Sequence, residues 1–201
     1  MFLFKTPELM NKEQHSNFGF NPPKERFGFC SKVRGIPLTV TEIPAAMKDY
    51  PIVFQSLENP VLLAVVGLID NVNLFVDEKG DWETNRYIPG YLRRFPFGLA
   101  NETGSERMAI VIDTSYEGLQ PNGELPLFIN DEPSEMTQSA IDFCQAYEQD
   151  RQLTENFLER LKKFNLIQGQ SAHFTPEGQT ERVTFSQYCG IDENTLNSLT
   201  D

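Results

Sequence analysis

The sequence predicts an α+β fold, a mostly antiparallel, aromatic-rich β-sheet domain with a C-terminal helical portion. Three observations carry this. From Val33 to Asn130, short β-branched or aromatic runs alternate with Gly, Pro, Asn and Asp, the pattern of strands joined by tight turns. After Pro133 the apolar residues recur at three- and four-residue spacing, which places them on one face of a helix. Sixteen phenylalanines accompany a single tryptophan, so aromatic rings, each able to cover about 150 to 250 Å², supply much of the burial. A chain of 201 residues is long enough to bury roughly 70% of the surface its unfolded form exposes. It reads as an N-terminal arm (1–32), a β-rich core (33–133), and a helical and hairpin C-terminal portion of the same domain (134–201).

In the arm, Asn21-Pro22-Pro23-Lys24 interrupts regular structure, and Phe18, Phe20, Phe27 and Phe29 are expected to pack on the chain's own body or on a partner. Val33 to Val40 can be extended, with Pro37 marking an edge because it donates no ladder bond. Thr41-Glu42 reads as a cap for a short helix through Met47, closed before Tyr50-Pro51 because a residue preceding proline disfavours the α region. Ile52 to Phe54, Val61 to Ile69, Asn73 to Val76 and Met108 to Ile112 are strand candidates. Asp77-Glu78-Lys79-Gly80 closes a hairpin that turns Trp82 back across the pair, glycine taking the positive-φ position cheaply. Pro121-Asn122-Gly123-Glu124 is a second turn, leading into a strand from Leu125 to Ile129 whose internal Pro126 again points to an edge.

Three helix starts share one device. Met136 before Thr137 with Ile141, Leu153 before Thr154 with Leu158, and Ile191 before Asp192 with Leu196 each bracket a capping side chain with two apolar residues. Such staples fix the entry of a helix, and each cap is worth about 1 kcal/mol. Phe157, Leu158, Leu161 and Phe164 form one apolar face of the second helix, Lys162 and Lys163 suit its C-terminal dipole, and Gly169 helps to stop it. Between the second and third helices, His173-Phe174-Thr175 and Arg182-Val183-Thr184-Phe185 flank Pro176-Glu177-Gly178 as a small hairpin.

Composition narrows the function. The formal net charge is −12, so the average field repels nucleic-acid phosphates and anionic headgroups. The charge is uneven, with thirteen acids against five bases after Asn130 and sixteen against twelve before it; an acid-recognising patch is therefore expected in the first part. Cys30, Cys144 and Cys189 are odd in number and contain no C-x-x-C pair, which argues against a disulfide framework or a zinc site and suits a reducing cytoplasm. The N-terminus does not read as a signal peptide. The longest apolar run, Val61 to Ile69, is far shorter than the roughly 20 residues of a membrane span.

The densest recognition signal is Tyr87-Ile88-Pro89-Gly90-Tyr91-Leu92-Arg93-Arg94-Phe95-Pro96-Phe97. Arginine presents a planar fork that binds carboxylate at two points and stacks on rings, so Arg93 and Arg94 are candidates to hold an acidic peptide or sugar acid; the alternative is a structural salt bridge. Trp82, Tyr87 and Tyr91 offer a stacking platform or, alternatively, core packing. Asn73, with Asn71 two residues before it, could grip a polar ligand or bond turn backbone. His15 and His173 stand apart, with neither an H-x-D nor an H-E-x-x-H arrangement, and no nucleophile elbow or glycine-rich phosphate cradle is present. No catalytic residue, metal ligand or cofactor is assigned.

The order of Ile36-Pro37-Leu38, Tyr50-Pro51-Ile52-Val53-Phe54, Asn73-Leu74-Phe75-Val76-Asp77, Trp82, Tyr87-Ile88-Pro89 and Arg93-Arg94-Phe95-Pro96-Phe97 resembles the SapC family of bacterial proteins. Leu127-Phe128, Phe157 with Leu161, Leu166-Ile167 and Gly190-Ile191-Asp192-Glu193 extend the likeness over nearly the whole chain from Val33. The family's name associates it with bacterial surface-layer proteins, and its members are encoded beside outer-membrane receptors, flavin-dependent halogenase-like proteins and cupin-like oxygenases. The resemblance implies a helper in a surface or polymer-uptake system. The combined expectation is a cytoplasmic, non-catalytic binding or accessory protein that recognises a partner protein or peptide, with self-association left open and no nucleic acid or membrane span involved. The alternatives are a metal-dependent oxygenase, or a subunit of one, and a surface-layer component.

Overall fold

Short runs bounded by turn formers pair most readily with their chain neighbours, and the pairings among the described residues are all antiparallel. The computed structural model describes residues 2–101, 108–175, 180–181 and 183–199. In chain order its first elements are β1 (Pro7–Leu9), α1 (Lys12–His15), β2 (Phe18–Phe20), β3 (Gly35–Pro37), α2 (Ile43–Ala46), β4 (Ile52–Phe54) and β5 (Leu62–Val65). There follow α3 (Gly90–Arg93), β6 (Phe97–Asn101), β7 (Met108–Asp113), β8 (Leu119–Pro121), β9 (Leu125–Pro126), β10 (Phe128–Ile129) and β11 (Glu132–Pro133). The last are α4 (Glu135–Lys163), β12 (Ile167–Phe174), β13 (Val183–Ile191) and α5 (Glu193–Asn197). The chain forms two compact units, Met1–Arg34 with Val66–Gln149 and Gly35–Val65 with Asp150–Asp201.

The first unit holds the sheets β1-β7-β6, β8-β2-β9 and β10-β11. Its core joins Phe97, Ile112, Leu119, Leu127 and Cys144, with Phe18, Phe20, Tyr116 and Met136 packed around them. The opening residues are thus part of this unit: β1 pairs with β7, and β2 lies between β8 and β9. Gly19 makes that last arrangement achievable, since a Cβ there would stand 2.6 Å from the Gly123 carbonyl oxygen and 2.7 Å from that of Leu125. Asp113 ties down the start of the chain. Its buried carboxylate accepts the N–H groups of Lys5 at 2.6 Å and Thr6 at 3.1 Å, and both the N–H and the hydroxyl of Ser115 at 2.9 and 2.7 Å.

The second unit is built on the five-stranded sheet β12-β13-β4-β5-β3. Ile36, Leu38, Phe54, Leu62 and Ala64 are buried in it. The expected C-terminal hairpin is present as β12 and β13, longer than its sequence signal, with a register shift between Ala172 and His173; Arg182 and the turn assigned to Pro176-Glu177-Gly178 lie outside the described residues.

Several expectations are corrected. The first two predicted helices are one helix, α4, of 29 residues, about 44 Å long at 1.5 Å per residue. No Gly or Pro falls between Ser134 and Phe164, so nothing stops the helix at Leu153-Thr154. Its cap is Ser134, whose Oγ accepts the Thr137 N–H at 3.3 Å, rather than Thr137 itself. Thr154, buried mid-helix, donates its hydroxyl to the Asp150 carbonyl at 2.7 Å and accepts the Val40 N–H at 2.8 Å. Asn165 stops the helix, with φ of 52° and with its N–H and that of Leu166 donating to the carbonyls of Lys162 and Leu161, a left-handed C-terminal lock; Gly169 belongs to β12. Only the Asp192 cap stands as expected, accepting the N–H groups of Asn194 and Thr195.

The cap expected at Thr41-Glu42 begins at Thr39, whose N–H and hydroxyl donate to Glu42 Oε2 at 2.8 and 2.9 Å. The segment Val33 to Val40 is a strand only over β3, and Val61 to Ile69 only over β5, because the N–H groups of Val66 and Gly67 both turn to the Arg34 carbonyl. Asn73 to Val76 is no strand beyond a single bridge from Val76 to Trp82. The Asn73 side chain takes over the local backbone bonding, donating to the Cys30 carbonyl at 3.1 Å and accepting the Phe75 N–H at 3.0 Å, the usual way an asparagine diverts a ladder. The hairpin loop after it is as expected, with Gly80 at φ 76° and Asp77 Oδ1 accepting the N–H groups of Lys79 and Asp81. Leu125 to Ile129 divides into β9 and β10 around the buried Leu127.

Candidate functional site

Pro89 leads the chain into α3, a single turn that buries Tyr91 and Leu92 and ends on Arg93. Successive helical residues point about 100° apart, so the two arginines that close this turn have different surroundings. Arg93 is exposed, while Arg94 is half-buried. The Arg94 guanidinium lies between two rings, 4.4 Å from the centre of Tyr91 and 4.6 Å from that of Tyr147, with Phe4 at 6.0 Å. Its Nε is buried with no hydrogen-bond partner. Arg93 lies 5.0 Å over Phe143 and 5.7 Å over Tyr87, and it donates to the Tyr87 hydroxyl at 3.3 Å. Among the described residues neither guanidinium has a carboxylate within ion-pair distance, so the salt-bridge alternative for this pair is replaced by stacking on aromatic faces.

Beside the pair is an open cavity of about 370 Å³, whose wall includes Arg93, Arg94, Phe20, Pro96, Met136 and Phe143. Cys144, on the next position of α4, is buried in the adjoining core. Burial pushes its thiol up to about 11 even though the Arg94 charge pulls the other way, which leaves it an inert packing group rather than a nucleophile.

Of the six residues predicted to bind, Tyr87, Tyr91, Arg93 and Arg94 come together here. Tyr91 is buried, and its hydroxyl accepts the Phe2 N–H at 2.9 Å. Trp82 and Asn73 are buried apart from the arginines; Trp82 packs against Phe27 at 5.6 Å and stacks on Phe75 at 5.9 Å, and its Nε1 is buried without a hydrogen-bond partner. A chain of rings joins the two places, from Trp82 through Phe27, Phe29 and Phe95 to Tyr116 and Phe20. Phe29 and Phe95 stack most closely within it, at 4.2 Å. Sequence reasoning missed Phe143 and Tyr147. Their four-residue separation on a helix puts both rings on one face, and that spacing was the available signal.

Other parts of the molecule are less well equipped. His15 is buried, its Nδ1 3.1 Å from the Asn11 carbonyl. Among the described residues no group of three or more His, Cys, Asp or Glu side chains is placed to hold a metal ion, and no helix is long and apolar enough to cross a membrane. In the second unit a cavity of about 510 Å³ lies along α4 by Phe157, Leu161, Phe164 and Leu199, with none of the six residues predicted to bind. No curated protein and no solved structure matches the chain. The family model described as SapC matches residues 10–201, nearly the full length, and the chain belongs to the SapC family.

Proposed function

We propose that this SapC-family chain is a non-catalytic binding or accessory protein that recognises a partner protein or peptide, working in the cytoplasm in support of a bacterial surface or polymer-uptake system. The recognition face is the one formed by Tyr87, Arg93 and the adjoining cavity, with Tyr91 and Arg94 holding its frame. One observation carries this reading: a pair of guanidiniums without a carboxylate partner among the described residues is held by ring faces at the edge of an apolar cavity. Arginines and aromatics are the groups that dominate recognition surfaces, because they combine area with directional bonding.

The test is affinity capture from the native organism's lysate with the wild-type chain beside Arg93→Glu, both verified as folded by circular dichroism. A partner held by the first and lost by the folded second is the expected result. Capture of the same proteins by both would remove Arg93 from the recognition face.

A further inference from the structure

We infer that the cavity beside Arg93 is a site for an apolar group that carries a carboxylate, of about the size of one or two amino-acid residues; the inference deepens the recognition role proposed for this face. Its volume, about 370 Å³, lies at the low end of the range of small-molecule sites, roughly 300 to 1,000 Å³. Its walls are mostly apolar, with Phe20, Pro22, Pro96, Met136 and Phe143 among them, and Arg93 and Arg94 supply the cationic edge.

Charge selects the ligand's sign. Arg93 is exposed and its one side-chain hydrogen bond is to the Tyr87 hydroxyl at 3.3 Å, so most of its five donors are open to a planar anion. Arg94 adds a second positive charge to the wall. A guanidinium beside apolar walls attracts a carboxylate more strongly than one in open water, because the local dielectric is lower. The apolar walls also argue against a phosphate-rich ligand, as does the net charge of −12, which repels polyanions at a distance. Of the other polar side chains in the wall, Asn21 is already committed, accepting the Glu124 N–H at 2.9 Å and donating to Gln120 at 3.1 Å, and the Tyr116 ring packs edge-on against Phe95.

The shared chemistry, an apolar body with a carboxylate, can come from a free organic acid or from the C-terminal residue of a partner chain. Calorimetric titration of the full chain with N-acetyl-phenylalanine, its C-terminal amide and N-acetyl-glycine separates the contributions. The acid is expected to bind roughly ten- to hundredfold more tightly than the amide, the range for a hydrogen bond to a charged group. N-acetyl-glycine, which keeps the carboxylate and loses the ring, should also be weaker. Arg93→Gln should weaken the acid about tenfold and leave the amide unchanged, with Arg93→Lys recovering part of the loss. Equal binding of acid and amide, no binding of the acid, or an acid affinity indifferent to Arg93→Gln would overturn the inference. A short peptide ending in phenylalanine, titrated in parallel, upholds the site either way: binding tighter than the free acid assigns the source to a chain end, and weaker binding assigns it to a free acid. If the acid fails to bind while partner capture still depends on Arg93, the ligand class is wrong and the recognition face stands. If the acid binds but capture is unaffected, the site takes a small ligand and the partner-binding role falls.

Discussion

Arg93 and Arg94 are chemically identical and adjacent, yet the end of α3 gives them separate tasks. Arg94 is fixed between Tyr91 and Tyr147, where a desolvated cation on ring faces contributes about 2 kcal/mol. Arg93 is exposed over Phe143. Arg94→Met is therefore expected to lower unfolding stability by about 2 kcal/mol, whereas Arg93→Met should stay within about 0.5 kcal/mol, as surface changes do; urea melts of both check it. Asp113 gives a second prediction at this scale. Burial works to raise its pKa, but hydrogen bonds from the Ser115 hydroxyl and from the N–H groups of Lys5, Ser115 and Thr6 outweigh that and leave it lowered. A carboxylate with a depressed folded-state pKa contributes fully above its unfolded value, about 3.9, and loses the contribution as pH falls through the folded value. Asp113→Asn should accordingly cost more stability at pH 7 than at pH 3, and a gap that is the same at both would rule out the ionised staple.

At the scale of elements, the caps decide what the periodicity leaves open. Ser134→Ala should reduce stability by about 1 kcal/mol, the usual loss for a serine cap. Thr154→Val, nearly isosteric, removes the acceptor for the Val40 N–H and should cost about 1 to 3 kcal/mol, because a backbone donor is stranded. Thermal melting of the two variants, with Thr137→Ala beside them, distinguishes these roles from the cap first read at Thr137. Ile52 to Phe54 was legible to the residue, since a β-branched run between Pro51 and a polar turn has one sensible reading. So was the Asp192 cap. Thr154 was not, because a buried threonine that serves a distant backbone donor looks in sequence like a local helix start. The strand expected at Asn73 failed for a related reason: its side chain bonds to Cys30, 43 residues away, and local spacing says nothing about such a partner. The site was half legible. Tyr87, Tyr91, Arg93 and Arg94 lie within eight residues in and beside α3, but the Phe143 and Tyr147 rings that orient the arginines come from α4 and meet them only through the fold.

Over the whole molecule, an acidic chain carries a small basic spot whose cations are met by rings, with no carboxylate among the described residues at ion-pair distance. Leaving a cation unpaired in such a chain keeps it available to an acidic partner, and the surrounding negative field disfavours polyanions. Membership of the SapC family is shown by the family model, while the recognition role proposed for the chain rests on this spot. Its most direct test is a photo-crosslinking residue in place of Leu125, an exposed side chain in the cavity wall, compared with the same residue in place of Leu74, equally exposed and outside that wall. In the native organism a discrete crosslinked partner is expected from position 125, absent from position 74 and lost when Arg93→Glu is added. The same crosslinks from both positions, or a crosslink at 125 that survives Arg93→Glu in the folded protein, would contradict it.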